Sequence, residues 1–231
     1  MTNKTLLFDL DDTLVLLNKS REKTILGTLN YYFTGSNISL GDLLFIRKNY
    51  AEKDDLLFIK QYLIDNDLDI PLDALKLVYV NVYFEISRHE ETAYISKENM
   101  EKLSSIYDLY IVSNRPREFY ENVWNSYFEK YFKGTVCFGD FPDVPRKPDP
   151  AIILETIKKY QIHNAIAYIG NHPIDMIAAK NAKITPIGIL TTHTAEALTE
   201  CGANYVFESF DDLFDILCKL DIKEYQAAYM Q

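Results

Sequence analysis

Short, almost wholly apolar runs alternate along the chain with stretches whose apolar residues recur every three or four positions. The runs are TLLFDL (5–10), LYIVSN (109–114), TVCFG (135–139), IAYIG (166–170), PIGIL (186–190) and NYVFES (204–209). Each is rich in β-branched or aromatic residues and bounded by Gly, Pro, Asn or Asp, which predicts six buried strands. Apolar strands separated by helical pattern predict an α/β protein, a Rossmann-like parallel sheet with helices on both faces.

The intervening helices are legible in the same way. Pro116 is placed to open a helix along which Phe119, Tyr120, Val123, Trp124, Tyr127, Phe128 and Tyr131 form an apolar face. In KPDPAIILETIKKY, Asp149 can cap and Pro150 can occupy the first turn, with Ile153, Ile157 and Tyr160 inward. After Pro173 the expected face is Ile174, Ile177 and Ala178, and the last helix turns Phe210, Leu213, Phe214 and Leu217 inward.

From about Lys19 to Arg88 the alternation stops and only helical pattern remains. Leu75, Val78, Tyr79, Val82, Tyr83 and Ile86 make one clear stripe. A parallel crossover needs only about a dozen residues. The segment therefore reads as an inserted all-helical domain over 18–91, leaving residues 1–17 and 92–231 as the α/β core.

Composition changes this picture in three ways. A net charge of −10 argues against a nucleic-acid partner, which needs a basic surface, but permits a small phosphorylated ligand that needs only local positive charge. Cys137, Cys201 and Cys218 are widely spaced, without a CxxC pattern, and suit a reducing compartment such as the cytoplasm. No signal peptide or membrane span is expected, because the first apolar run is short and then acidic and no run of about 18 apolar residues follows. Oligomeric state is not readable.

The chemistry gathers where the strands end. In open parallel sheets ligands bind beyond the carboxyl ends of the strands. Strand one runs into Asp9, Asp11 and Asp12; strand two ends in Ser113 and Asn114; Lys147 follows strand three; Asn171 and Asp175 follow strand four. Like charges this close raise one another's pKa and cost free energy, so a cation is expected among them, a metal ion, a lysine or both. Asp12 reads as a turn residue, His172 as a local hydrogen-bonding group, and Arg21 as a solvated residue that could equally meet a substrate anion.

FDLDDTL, IVSN, RKPDP and IGNHPIDMIAAKNA, in this order, resemble the four motifs of the haloacid dehalogenase superfamily over about residues 5–190. The nearest resemblance is to its phosphatase branch with a helical cap between motifs one and two, as in phosphoglycolate phosphatase-like proteins. The resemblance implies that Asp9 attacks phosphorus, since a carboxylate is ionised at neutral pH and needs no base. It implies that Asp11 is the general acid and then base. It further implies that Thr13, Ser113 and Asn114 steady the phosphoryl oxygens, that Lys147 neutralises charge, and that Mg²⁺ is held by Asp9, the Asp11 carbonyl, Asn171 and Asp175. The dehalogenases lack the second carboxylate, so Asp11 favours phosphoryl transfer. One position departs from the pattern: Asn171 stands where an acidic metal ligand is expected. A weaker magnesium site is one reading of this, and a helix-capping Asn171 beside a degraded site is the other. The implied activity is a magnesium-dependent phosphomonoester hydrolase; a phosphomutase, or a phosphate-ligand-binding protein without efficient catalysis, are the alternatives.

Overall fold

The computed structural model describes residues 3–34, 38–50 and 54–229, with side chains in the last helix described as far as Leu220. Strands β1 (Thr5–Phe8) and β2 (Val15–Leu16) lead into helices α1 (Ser20–Tyr32), α2 (Leu40–Arg47), α3 (Asp55–Asp65) and α4 (Leu72–Glu90). There follow β3 (Thr92–Ala93), α5 (Lys97–Ile106), β4 (Asp108–Pro116), α6 (Arg117–Glu121), α7 (Asn125–Phe128) and β5 (Gly134–Phe138). The chain closes with α8 (Ala151–Lys159), β6 (Ala165–Gly170), α9 (Pro173–Asn181), β7 (Thr185–Ile189), α10 (Ala195–Glu200), β8 (Tyr205–Phe207) and α11 (Phe210–Tyr229).

All six expected strands lie in one sheet, ordered β5-β4-β1-β6-β7-β8, and each pairing is parallel. Order reverses at β1, which sits between β4 and β6, so the crevice at the carboxyl ends of these three strands is where an open α/β sheet binds ligands. The apolar runs are apolar because both sheet faces are covered. One face packs Leu6, Phe8, Leu109, Ile111 and Ile169 against α5 and α11 residues such as Met100, Leu103, Leu213 and Leu217. The other packs Leu7, Tyr110, Val112, Val136 and Tyr168 against Ile152 and Ile153 of α8 and Ala178 and Ala179 of α9.

By compactness the chain divides into two units, Met1–Leu16 with Ala93–Gln231, and Leu17–Thr92. The second unit contains α1 to α4. Its interior is one stripe from each helix: Ile25 and Leu29, Leu43, Phe58, Ile59 and Leu63, and Leu75, Tyr79 and Tyr83.

Two helix expectations need correction. Residues 116–131 do not form one helix. Pro116, the last residue of β4, is the N-cap of α6 as expected, but the helix breaks between Glu121 and Asn125, where Val123 and Trp124 both donate to the Tyr120 carbonyl. The aromatic row survives the break, since Tyr120, Trp124, Phe128 and Phe132 are all buried in one cluster. In α9 the buried face is Asp175, Met176, Ala178 and Ala179, while Ile174 and Ile177 are half-buried. The face is rotated because Asp175 turns inward to meet a buried lysine.

Candidate active site

Asp9 is the first residue beyond β1, and its N–H donates to the Ile169 carbonyl of β6 at 2.8 Å. Its carboxylate is thereby set at the switch point, where it is buried and accepts from Lys147 Nζ at 2.7 Å. The same ammonium donates to Asp175 Oδ1 at 2.7 Å and to the Tyr168 hydroxyl at 2.7 Å. Tyr168 in turn donates to the Val112 carbonyl at 2.7 Å. An ammonium has three protons, and here each has a short, buried acceptor.

Lys147 has no strand beneath it; it is placed from the side by Asn114 at the end of β4. The Asn114 carboxamide accepts from Lys147 N–H at 2.9 Å and donates to the Lys147 carbonyl at 3.2 Å. Asn114 is thus a two-point brace for the lysine, with one further N–H to offer a ligand. Ser113 is buried and its hydroxyl accepts from Arg115 N–H at 3.1 Å.

Asp175 comes from the first turn of α9. Oδ2 accepts from His172 N–H at 3.0 Å, completing a capping box with the His172 ring, whose Nδ1 accepts from Ile174 N–H at 3.2 Å. Gly170 permits this approach: a Cβ there would lie 2.6 Å from the Asp175 carboxyl carbon. Both Asp175 oxygens are therefore engaged, one by Lys147 and one by a backbone N–H. In this arrangement the side chain is the lysine's counterion and a helix cap.

Burial sets the electrostatics. It pulls Lys147 downward, but Asp175 and Asp9 outweigh it and hold the lysine well above its usual pKa. Burial pushes Asp175 up to about 6, with Lys147 opposing and Asp9 adding to the rise. Burial also depresses His172, and the neighbouring His193, its ring centroid 4.4 Å away, adds to this.

Asn171 is buried, and the helix cap beside it is His172 rather than Asn171. Its Oδ1 accepts from Thr13 Oγ1 at 3.1 Å and its Nδ2 donates to Thr192 Oγ1 at 2.7 Å. Asp12, with φ of 52°, forms a turn in which its N–H donates to the Val15 carbonyl at 2.6 Å. Asp11 stands apart from the lysine cluster, ion-paired at 2.7 Å with Arg115, whose side chain is only 4% exposed while that of Asp11 is 35% exposed.

The donors fit a hard divalent cation. A carboxylate of Asp9, the main-chain carbonyl of Asp11 and the amide oxygen of Asn171 are all oxygen ligands, the type Mg²⁺ takes. Among the described residues no three His, Cys, Asp or Glu side chains are grouped to hold a metal.

Arg115, Tyr168 and Thr192 were not foreseen from the sequence. An arginine after a strand reads as solvated, a tyrosine inside an apolar run reads as a core ring, and Thr192 carries no motif. The nearest available signal was the position of Arg115, directly after the Ser-Asn pair of β4.

A buried lysine between two carboxylates thus lies at the switch point of a parallel sheet, the place where an α/β fold of this kind binds its ligand. The sequence profile of the haloacid dehalogenase-like hydrolases matches residues 6–189, and the chain belongs to that family. Pyrophosphatase PpaX of Bacillus mycoides is 25% identical over 235 residues, covering 96% of this chain and 100% of that protein. Among solved structures, a predicted phosphoglycolate phosphatase of Haemophilus somnus superposes with a TM-score of 0.71 at 18% identity, over 93% of this chain and 98% of that one. A predicted phosphatase of Clostridium acetobutylicum does so with a TM-score of 0.67 at 20% identity, over 95% and 100%. The expected family and fold class are both borne out. No described helix is long and apolar enough to cross a membrane.

Proposed function

We propose that this chain is a magnesium-dependent phosphomonoester hydrolase, acting on a small phosphorylated metabolite through an aspartyl-phosphate. The observation that carries the reading is the Lys147 ammonium, buried and shared between Asp9 and Asp175 at the carboxyl ends of β1 and β6. The lysine orients the Asp9 carboxylate and lowers its repulsion toward an incoming phosphate.

In the first half-reaction an Asp9 oxygen forms a bond to phosphorus while the bond to the leaving oxygen breaks. Asp11 gives a proton to that oxygen. In the second, water attacks phosphorus, Asp11 takes its proton, and Asp9 is released with inorganic phosphate. Thr13 and Ser113, with the remaining N–H of Asn114, line the phosphoryl oxygens. Mg²⁺, held by Asp9, the Asp11 carbonyl and Asn171, would supply charge neutralisation between nucleophile and phosphate. Asn171 gives that site a neutral oxygen, and weaker affinity follows from the lower charge. The helical unit, Leu17–Thr92, is assigned the part of a cap that selects the substrate and excludes water. With a pyrophosphatase among the relatives, inorganic pyrophosphate belongs in the substrate screen beside sugar and carboxylic-acid phosphates.

The test is phosphate release from an aryl phosphate across a Mg²⁺ titration, with Asp9→Asn as control and Asn171→Asp as comparison. Metal-dependent release that vanishes in Asp9→Asn is expected, with Asn171→Asp reaching half-saturation at roughly tenfold lower Mg²⁺, the effect of one added ligand charge. Release that survives Asp9→Asn sinks the nucleophile; equal Mg²⁺ midpoints sink the weak-site reading.

A further inference from the structure

The two motif-one carboxylates do not share a cation. Asp9 is held by Lys147, and Asp11 is ion-paired with Arg115. Arg115 rises from the end of β4, the strand that neighbours β1, with its backbone fixed by the Ser113 hydroxyl. Its side chain is buried, whereas the Asp11 side chain keeps an open face, so the cation lies inside and the carboxylate looks outward. Burying a guanidinium costs several kcal/mol unless it is well paired, and at a surface position none of that cost would be needed. The Arg115 Nη2 lies 2.7 Å from Asp11 Oδ1, an oxygen that is itself buried, so the ion pair sets which Asp11 oxygen turns inward.

We infer that Arg115 is a positioning residue for proton transfer: it holds the Asp11 carboxyl away from the Asp9–Lys147 pair and in line with the leaving oxygen. The inference rests on the phosphatase reading above. It concerns one bond-breaking step, in which the proton on Asp11 passes to the leaving oxygen as the phosphorus–oxygen bond breaks and Asp9 becomes esterified. General acid catalysis of this kind contributes about 10²–10⁴-fold, and the contribution falls as the leaving group becomes a better one. Displacing the acid therefore costs most for basic leaving groups. A residue that merely supports the fold would reduce activity toward all esters alike.

The experiment measures kcat/KM for substituted phenyl phosphates, from nitrophenyl to methoxyphenyl, with wild type, Arg115→Met, Asp11→Asn and the double variant, using the Mg²⁺-supplemented full chain. Arg115→Met is expected to lose roughly tenfold more on methoxyphenyl than on nitrophenyl phosphate, following the share supplied by the acid. Adding it to Asp11→Asn is expected to cost nothing further, because the group it positions is already gone. Arg115→Gln, read the same way, replaces Arg115→Met if thermal melting shows that the latter is unfolded. A uniform loss across the series, or a full further loss in the double variant, overturns the inference while leaving the phosphatase reading intact. A folded wild type that releases phosphate from none of these esters, nor from the wider metabolite screen, overturns both.

Discussion

The α/β unit and the helical unit bury their residues by different rules. In the α/β unit the sheet is covered on both faces, and its strands contribute side chains such as Leu6, Leu7, Phe8, Leu109, Ile111 and Ile169 that are wholly inaccessible. In the helical unit each helix buries one stripe, and Tyr31, Leu44, Phe45, Leu57, Ile64, Leu72 and Leu77 stay exposed; only Ile106 and Leu154 do so elsewhere among the described residues. Two ion clusters, one from each unit, show the contrast. Lys147, 1% exposed, is closed in between Asp9 and Asp175, whereas Arg21, 53% exposed, reaches Asp55 from solvent and shares it with Arg47. Where a surface is packed on both sides, every ionisable group needs a partner in place before the fold is stable. Where it is packed on one side, water can replace the partner. The α/β unit thus ties its chemistry to its stability, and the helical unit leaves its outer residues free to vary.

The largest test of that coupling is Lys147→Met. It leaves two buried carboxylates without their cation, at a cost of about 3–5 kcal/mol, and should abolish hydrolysis. Its pH dependence has a definite sign. Asp175 already lies at about 6, above the ordinary 3.8, because it is buried. A group whose folded pKa exceeds its unfolded value adds stability that is fully present below the unfolded pKa and is lost as pH rises through the folded one. Without Lys147 the rise is larger, so the variant should melt at higher temperature at pH 5 than at pH 8, more steeply than wild type. A melting temperature with the same pH dependence as wild type would show that the lysine is not what permits the two carboxylates to be buried.

The sequence was most readable where packing left least choice. Six strands were legible because Leu, Ile, Val and Phe crowd runs too short for helices; Asp9 and Ser113 stood out at the ends of such runs, and Lys147 and Asp175 through the order of the motifs. What was not legible depended on register or on a third dimension. Tyr168 looks like another core ring until the strand register sets its hydroxyl between Lys147 and Val112. Arg115 follows Asn114 in sequence, yet the one side chain braces Lys147 and the other meets Asp11. The rotated face of α9 was missed because a buried aspartate reads as polar, and a pattern of apolar spacing has no way to credit the lysine that pays for it. The break between α6 and α7 was missed because aromatic spacing runs through it unchanged.

Within the helical unit, burial and exposure should separate cleanly in a pair of substitutions. Phe58 is wholly buried, with Tyr50 edge-on at 5.2 Å and the Arg47 guanidinium 4.9 Å over its ring. Phe58→Ala should cost about 3 kcal/mol, the lower end for a buried ring because flexible aromatic neighbours can close part of the cavity. Phe45 is 71% exposed, and Phe45→Ser should change stability by no more than about 0.5 kcal/mol. Denaturant midpoints for the two variants decide it; a Phe45→Ser loss as large as that of Phe58→Ala would mean that the exposed face is part of a packed surface.

The smallest effect expected is that of Arg21→Ala. Arg21 binds Asp55 through two nitrogens, at 2.7 and 2.9 Å, a geometry that in a buried setting would be worth several kcal/mol. Two features of the site reduce it. Half of the arginine is solvated, and Asp55 keeps a second cation, Arg47 at 2.7 Å, together with the Tyr79 hydroxyl at 3.4 Å. Removing Arg21 therefore strands no charge, and the cost should be below about 1 kcal/mol, shrinking further in high salt as for other solvated pairs. Removing Arg47 as well takes away both cations and should cost more than the two single losses added together. If Arg21→Ala alone proved as damaging as Lys147→Met, the division between the two units would fail, because a solvated ion pair would then be holding its unit together as firmly as a buried one.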